Sequence, residues 1–158
     1  MQQNGQLDPT DIRILEILQV DARMDATHIG YAVHKSEAAV RKRLAKLREQ
    51  GYIRRFAALL DRNLVGRPTL MITLVKLNGH SAIALRDFAT VMSSHPEVQV
   101  CLHLSGEYDF ILQVTLCDAA DYENFLEEKL CTLPMVDKVH SSLVLKEYKM
   151  EPAFPLEK

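Results

Sequence analysis

The chain has 158 residues, 47% of them hydrophobic and 25% charged, with a net charge of -2. That balance excludes global disorder and fits one ordinary globular domain or two small ones. No apolar run approaches the roughly 18 residues that a bilayer crossing needs, and the polar opening MQQNGQLDPTD does not resemble a secretory signal. A cytoplasmic protein with no membrane partner is expected.

Charge divides the chain. Residues 1–62 hold 11 Lys or Arg against 8 Asp or Glu, net +3, whereas 63–158 hold 8 against 13, net -5. The stretch HKSEAAVRKRLAKLREQGYIRR, residues 34–55, concentrates eight basic residues against only Glu37 and Glu49. A basic module joined to an acidic one points to one part that meets a polyanion and another that does not.

In chain order, LDPTDIRILEILQVDAR predicts a first helix over about 9–20, with Asp8 as N-cap, Pro9 at its first position and Ile14, Leu15 and Leu18 at helical spacing. A second short helix is expected in DATHIGYAV, capped by Asp25, with Ile29 and Val33 on one face. The third starts from Ser36 as N-cap, carries the stripe Val40, Leu44 and Leu47, and ends at Gly51. Only HKS joins the last two, which is the spacing of a helix-turn-helix. His34 suits the left-handed backbone of such a turn better than most non-glycine residues, and Lys35 can bury its stem. YIRRFAALLD then reads as one or two short strands, a wing or a linker strand, leading to the turn NLVGRP, so the domain boundary is placed between 62 and 63.

Beyond that turn, TLMITLVKL is strand-like. SAIALRDFATVMSSH is an amphipathic helix with Ile83, Leu85, Phe88, Val91 and Met92 largely on one side. EVQVCLHLSG and YDFILQVTLC are strands around SGEY, AADYENFLEEKLCTL is helical, and MVDKVHSSLVLKEY is again strand-like. The order βαββαβ is the ferredoxin-like split unit, a four-stranded antiparallel sheet with helices on one face. The predicted fold class is therefore α+β: a winged helix-turn-helix over 1–62, then a βαββαβ sandwich over 63–158. Val114, Leu116, Leu143 and Leu145 make the strands apolar enough that a second copy is expected to cover the open face, giving at least a homodimer.

With Val40, Leu44 and Leu47 turned to the core, the opposite face of the third helix is Ala38, Arg41, Lys42, Ala45, Lys46 and Glu49. Small residues let a helix approach the floor of the major groove, and Arg41 and Lys42 lie early enough to reach bases or phosphates. Ser36 and the first-turn amides suit a phosphate, Arg54 and Arg55 lie in wing position, and Glu37 can either accept from a cytosine amino group or repel a phosphate. The DNA contacts expected are Ser36, Glu37, Ala38, Arg41, Lys42, Lys46, Arg54 and Arg55.

Nothing indicates catalysis, a metal or a cofactor. The six histidines show no metal-ligand spacing, and there is no Gly-x-Ser-x-Gly elbow or phosphate-cradling glycine loop. Cys101, Cys117 and Cys131 are odd in number and set in apolar surroundings, so they are read as core or half-buried residues rather than as a disulfide or metal framework.

The chain resembles the Lrp/AsnC, or feast/famine, family of transcription regulators over Leu7 to about Tyr148. The resemblance lies in LDPTDIRILEILQVDAR, AAVRKRLAKLREQGYIRRFAALLD and LHLSGEYDFILQV, the last with a Gly-x-x-Asp core at Gly106 and Asp109. It implies double-stranded DNA as partner, dimers assembling to tetramers or octamers, and a small effector such as an amino acid bound near that turn. By position, His103, Ser105, Gly106, Glu107, Tyr108 and Asp109 would form or border the effector pocket, with Asp109 or Glu107 receiving an α-ammonium. The chain departs from the family where a Gly-Leu-Ser-Pro-like turn is replaced by His34, Lys35, Ser36 and Glu37. The function expected is a sequence-specific DNA-binding regulator modulated by a small effector. The alternatives are a ligand-independent DNA-organising oligomer, or an amino-acid-sensing module with minor DNA contact.

Overall fold

A computed structural model describes residues 7–150 and 152–156. They form two compact units. One runs to Ala58 and takes in the C-terminal stretch from Lys149; the other is Leu59–Tyr148.

The first unit is built from α1 (Pro9–Val20), α2 (Ala26–Val33) and α3 (Glu37–Glu49). Each helix starts where a side chain satisfies an otherwise orphaned amide: Asp8 accepts from Asp11 N, Asp25 from His28 N, and Ser36 from Ala39 N. Ile14, Ile17, Leu18, Ala26, Ile29, Val40 and Leu47 form the core, with Leu15, Val33 and half-buried Leu44 packed against it. The turn between α2 and α3 has the expected shape, since His34 lies at φ 54°, ψ 48°. Lys35 N donates to Gly30 O at 2.9 Å, but the Lys35 side chain is exposed rather than laid into the core. Gly51, at φ 80°, closes α3 by donating to Arg48 O.

Two polar ties brace this unit. Arg43 on α3 holds both Asp8 and Asp11 of α1 through one guanidinium nitrogen. Gln19 on α1 donates to Phe154 O at 3.1 Å and accepts from Phe154 N at 2.6 Å, fastening the C-terminal stretch as a neighbouring strand would.

The strand expected in wing position does not form: residues 53–60 are neither helix nor strand. Alternation is a local signal, whereas a strand needs a second backbone to take its amides and carbonyls, and no described residue supplies one. Phe56 instead lies beneath Arg48, whose guanidinium carbon is 5.0 Å from the ring centroid.

The second unit contains β1 (Thr69–Leu77), α4 (Ala82–Ser94), β2 (Val98–His103), β3 (Phe110–Leu116), α5 (Ala119–Phe125) running into a π-helical turn (Leu126–Leu130), and β4 (Val136–Leu143). The strands are antiparallel in the order β2-β3-β1-β4. Val75, Leu77, Phe110, Leu112, Val114 and Leu116 on one sheet face meet Phe88, Met92, Tyr122, Phe125 and Leu130 from the helices. Thr73 within this layer is satisfied by Tyr122 Oη at 2.6 Å, which also bonds Ser141 Oγ.

Four expectations are corrected here. Ile83 is 71% exposed because it lies about 140° around α4 from Phe88. Cys117 and Cys131 are exposed, having fallen on connections at element ends, and only Cys101 is half-buried. The last strand stops at Leu143, so Leu145 lies beyond it. Val114 and Leu116 belong to the helix-covered face, and Leu143 shares that face by pairing with Met71. The open face is carried by Ile72, Leu74, Ile111 and Leu102, one residue out of phase.

Candidate nucleic-acid interface and effector turn

α3 presents the face that its apolar stripe dictates. Ala38, Arg41, Lys42, Ala45, Lys46 and Glu49 are all exposed, opposite buried Val40 and Leu47. Arg54 and Arg55 are also exposed, although on an irregular segment. The side chains of Lys42, Lys46, Arg54 and Arg55 hold no ion pair or hydrogen bond with any described residue, which leaves four cations for solvent or a polyanion. Ser36 is occupied as the cap of α3, its Oγ accepting from Ala39 N at 3.3 Å.

Glu37 and Arg41 differ from these. Glu37 Oε1 accepts from Arg41 Nε at 2.7 Å and lies 2.7 Å from Nη2, while Glu37 Oε2 accepts from Thr27 Oγ1 of α2 at 2.9 Å. The hydrogen bond from Arg41, then that from Thr27, holds the Glu37 carboxyl below its ordinary range. Neither contact was read from the sequence, though the i, i+4 spacing of an acid before a base was available as a signal.

Gly30 was also missed. A Cβ there would stand 2.6 Å from Lys35 O, so only glycine lets the turn fold back on α2. A glycine inside an otherwise helical pattern was the available sign.

In the second unit, Leu104 N donates to Asp109 O at 2.8 Å and Asp109 N donates to Val75 O at 2.9 Å, closing the β2–β3 turn beside the end of β1. The structure brings His103, Ser105, Gly106, Glu107, Tyr108 and Asp109 together along this turn, but in different settings. His103 is exposed and its ring lies 5.1 Å from that of Phe110. Ser105, Gly106 and Glu107 are exposed, and a Cβ on Gly106 would meet no heavy atom within 4 Å. Tyr108 is half-buried, with Lys138 Nζ 5.6 Å from its ring centroid and the His140 ring at 6.5 Å. Lys138 Nζ also lies 3.9 Å from Glu107 Oε1.

Asp109 is only 6% exposed, and its oxygens are already engaged. Oδ2 accepts from Leu77 N at 2.8 Å, and Oδ1 faces His80 Nε2 at 3.1 Å. Its carboxylate fastens the end of β1 to the turn. The more accessible acid at the turn is Glu107. Lys138, His140 and His80 come from β4 and the β1–α4 connection, so only strand register could reveal them as neighbours.

The Lrp/AsnC ligand-binding-domain model matches residues 70–154, and the AsnC-type helix-turn-helix model matches residues 7–48. The chain belongs to the Lrp/AsnC family of transcriptional regulators. It is 33% identical over 149 residues to the HTH-type transcriptional regulator Zrp of Zymomonas mobilis, covering 94% of this chain and 97% of that one. It is 32% identical to a proline dehydrogenase transcriptional activator of Rhizobium radiobacter, covering 90% and 92% of the two chains. Among solved structures, a transcriptional regulator of Neisseria meningitidis in complex with L-Met superposes at TM-score 0.89 with 33% identity, covering 95% of this chain and 97% of that one. An AsnC-family regulator from Agrobacterium tumefaciens gives 0.88 with 30% identity, covering 94% and 97%. The family thus joins both units in one function: a helix-turn-helix that binds DNA and a ligand-binding domain that modulates it.

Proposed function

We propose that this family member is a non-enzymatic cytoplasmic regulator that binds duplex DNA sequence-specifically through the exposed face of α3, and whose assembly or affinity is set by an amino acid bound at the 104–109 turn. The observation that carries the reading is the placement of Lys42 and Lys46, which pair with no described residue, with Arg41, Ala38 and Ala45, on the outward face of the second helix of a helix-turn-helix. Arg54 and Arg55 add cationic charge behind it. Half-buried Ile72, Leu74 and Ile111 and exposed Leu102, on the sheet face opposite the one that packs on α4 and α5, support at least a homodimer that would cover them. Tetramers or octamers would follow from further contacts between such dimers.

Titrating a pool of genomic duplexes against salt tests the DNA reading. Log K is expected to fall with log salt by about 0.9 per phosphate contacted, and the double variant Arg41→Ala, Lys42→Ala to bind far more weakly. Binding that ignores both salt and substitution would remove the assignment. For the effector, a thermal-shift screen of the twenty amino acids is expected to yield at least one hit, worth about 2.7 kcal/mol at a hundredfold excess over Kd. Glu107→Gln is the better probe of the ammonium contact than Asp109→Ala, because Glu107 is exposed and meets Lys138 only at 3.9 Å, whereas Asp109 accepts from the Leu77 amide at 2.8 Å.

A further inference from the structure

The contact between Glu37 and Arg41 gives Glu37 a role distinct from touching DNA. An arginine guanidinium has five N–H donors in a fixed plane, and the two on its Nε–Nη2 edge are the ones that meet Glu37 Oε1. The end-on fork, made by Nη1 and the outer N–H of Nη2, is left open. Glu37 is itself pinned by Thr27 from the preceding helix, so the guanidinium is referenced to both helices of the motif rather than to one flexible stem. Even so, the Arg41 side chain remains 69% exposed, on the face that carries Ala38 and Ala45.

Charge indicates which acceptor suits that fork. Paired with Glu37, Arg41 presents almost no net charge, and a carboxylate beside it disfavours a phosphate. Directional donation to a neutral base edge is retained, and the O6 and N7 acceptors of guanine in the major groove match an end-on arginine. We infer that Arg41 reads a guanine and that Glu37, locked by Thr27, is the positioning residue that aims it, while Lys42 and Lys46 hold the flanking phosphates. This rests on the DNA-binding reading above.

The test is selection from a randomised duplex library followed by affinity measurement on the selected site and its single-base variants. The wild type is expected to prefer guanine at one position of each half-site by about tenfold, the discrimination an aimed bidentate pair supplies. Arg41→Ala should lose that preference. Glu37→Gln and Glu37→Asp should lose most of it while total affinity for unselected DNA is retained or rises, because Arg41 is then free to swing to a phosphate. Thr27→Val should weaken the preference, and Thr27→Ser, which keeps the hydroxyl, should restore it.

An unchanged guanine preference in both Glu37 variants would overturn the inference. So would loss of a cytosine preference in Glu37→Gln that Arg41→Ala leaves intact, since Glu37 would then be the reader. Failure of the wild type to bind any duplex at low salt would instead overturn the DNA-binding reading itself. Thr27, Glu37 and Arg41 are all exposed, so unchanged melting temperatures are expected and serve as the folding control.

Discussion

Helix α3 and the β2–β3 turn each carry a carboxylate that the sequence nominates as a ligand contact, and the structure engages both internally. Glu37 lies at the start of α3 with 46% of its side chain exposed, bonded to one neighbour on its own helix and one on α2. Asp109 is buried and bonded to the amide that ends β1. Their energetics differ accordingly. An exposed acid can be removed with little effect on folding, whereas removing a buried acceptor leaves its donor unsatisfied where water cannot replace it. Glu37 therefore orients another group at small cost, and Asp109 holds a junction of the fold.

Substitutions can break that comparison, beginning with backbone packing near the first site. Gly30→Ala sets a Cβ against Lys35 O and is expected to cost toward the upper end of about 1–3 kcal/mol, with DNA affinity falling because the angle between α2 and α3 changes. Urea denaturation followed by helical signal measures it, and wild-type stability in that variant would show that the turn relaxes freely.

Next comes the buried acid. Asp109→Ala should cost about 2 kcal/mol, since the Leu77 amide loses its acceptor. Asp109→Asn should cost less, because its side-chain carbonyl still accepts that bond. Calorimetry on both, beside Glu37→Ala, sharpens the contrast: the Glu37 variant is expected within about 0.5 kcal/mol of wild type, as for ordinary surface changes. Equal losses at the two positions would dissolve the distinction.

Smallest is a pH effect on the first unit. Burial acts to raise the Asp8 carboxyl, but hydrogen bonds from Arg43 and the Asp11 amide outweigh it and hold Asp8 below its ordinary value. A depressed folded-state value means stability that is fully present above the unfolded value of about 3.9 and lost as pH falls through the folded one. The expected size is under about 1 kcal/mol, because 44% of the Asp8 side chain is exposed and solvent screens the pair. Arg43→Met should flatten this acid limb in a Tm-against-pH series. An identical limb in both proteins would assign it to other carboxylates.

Much of the chain was legible without coordinates. Asp8, Asp25 and Ser36 cap their helices, Gly51 ends α3, and His34 adopts the left-handed backbone its turn requires, because these are local choices made within a few residues. The alternation of TLMITLVKL marked β1 to its end residues. Where partners come from afar, the reading failed. The 53–60 segment alternates yet finds no second backbone, and Val114 and Leu116 turned to the helices rather than to the open face because parity within a strand does not say which side is covered.

The sequence by itself determined the βαββαβ order of the second unit, the caps of α1, α2 and α3 and the basic outward face of α3, all of which follow from periodicity and caps acting over one or two turns. Tertiary structure alone decided that Asp109 is locked to Leu77, that Thr27 reaches Glu37 across the turn, that Arg43 ties α3 to Asp8 and Asp11, and that Lys138 and His140 border the β2–β3 turn at Tyr108. Each of these joins residues from different elements, and register and helix packing fix such distances only once the chain has folded.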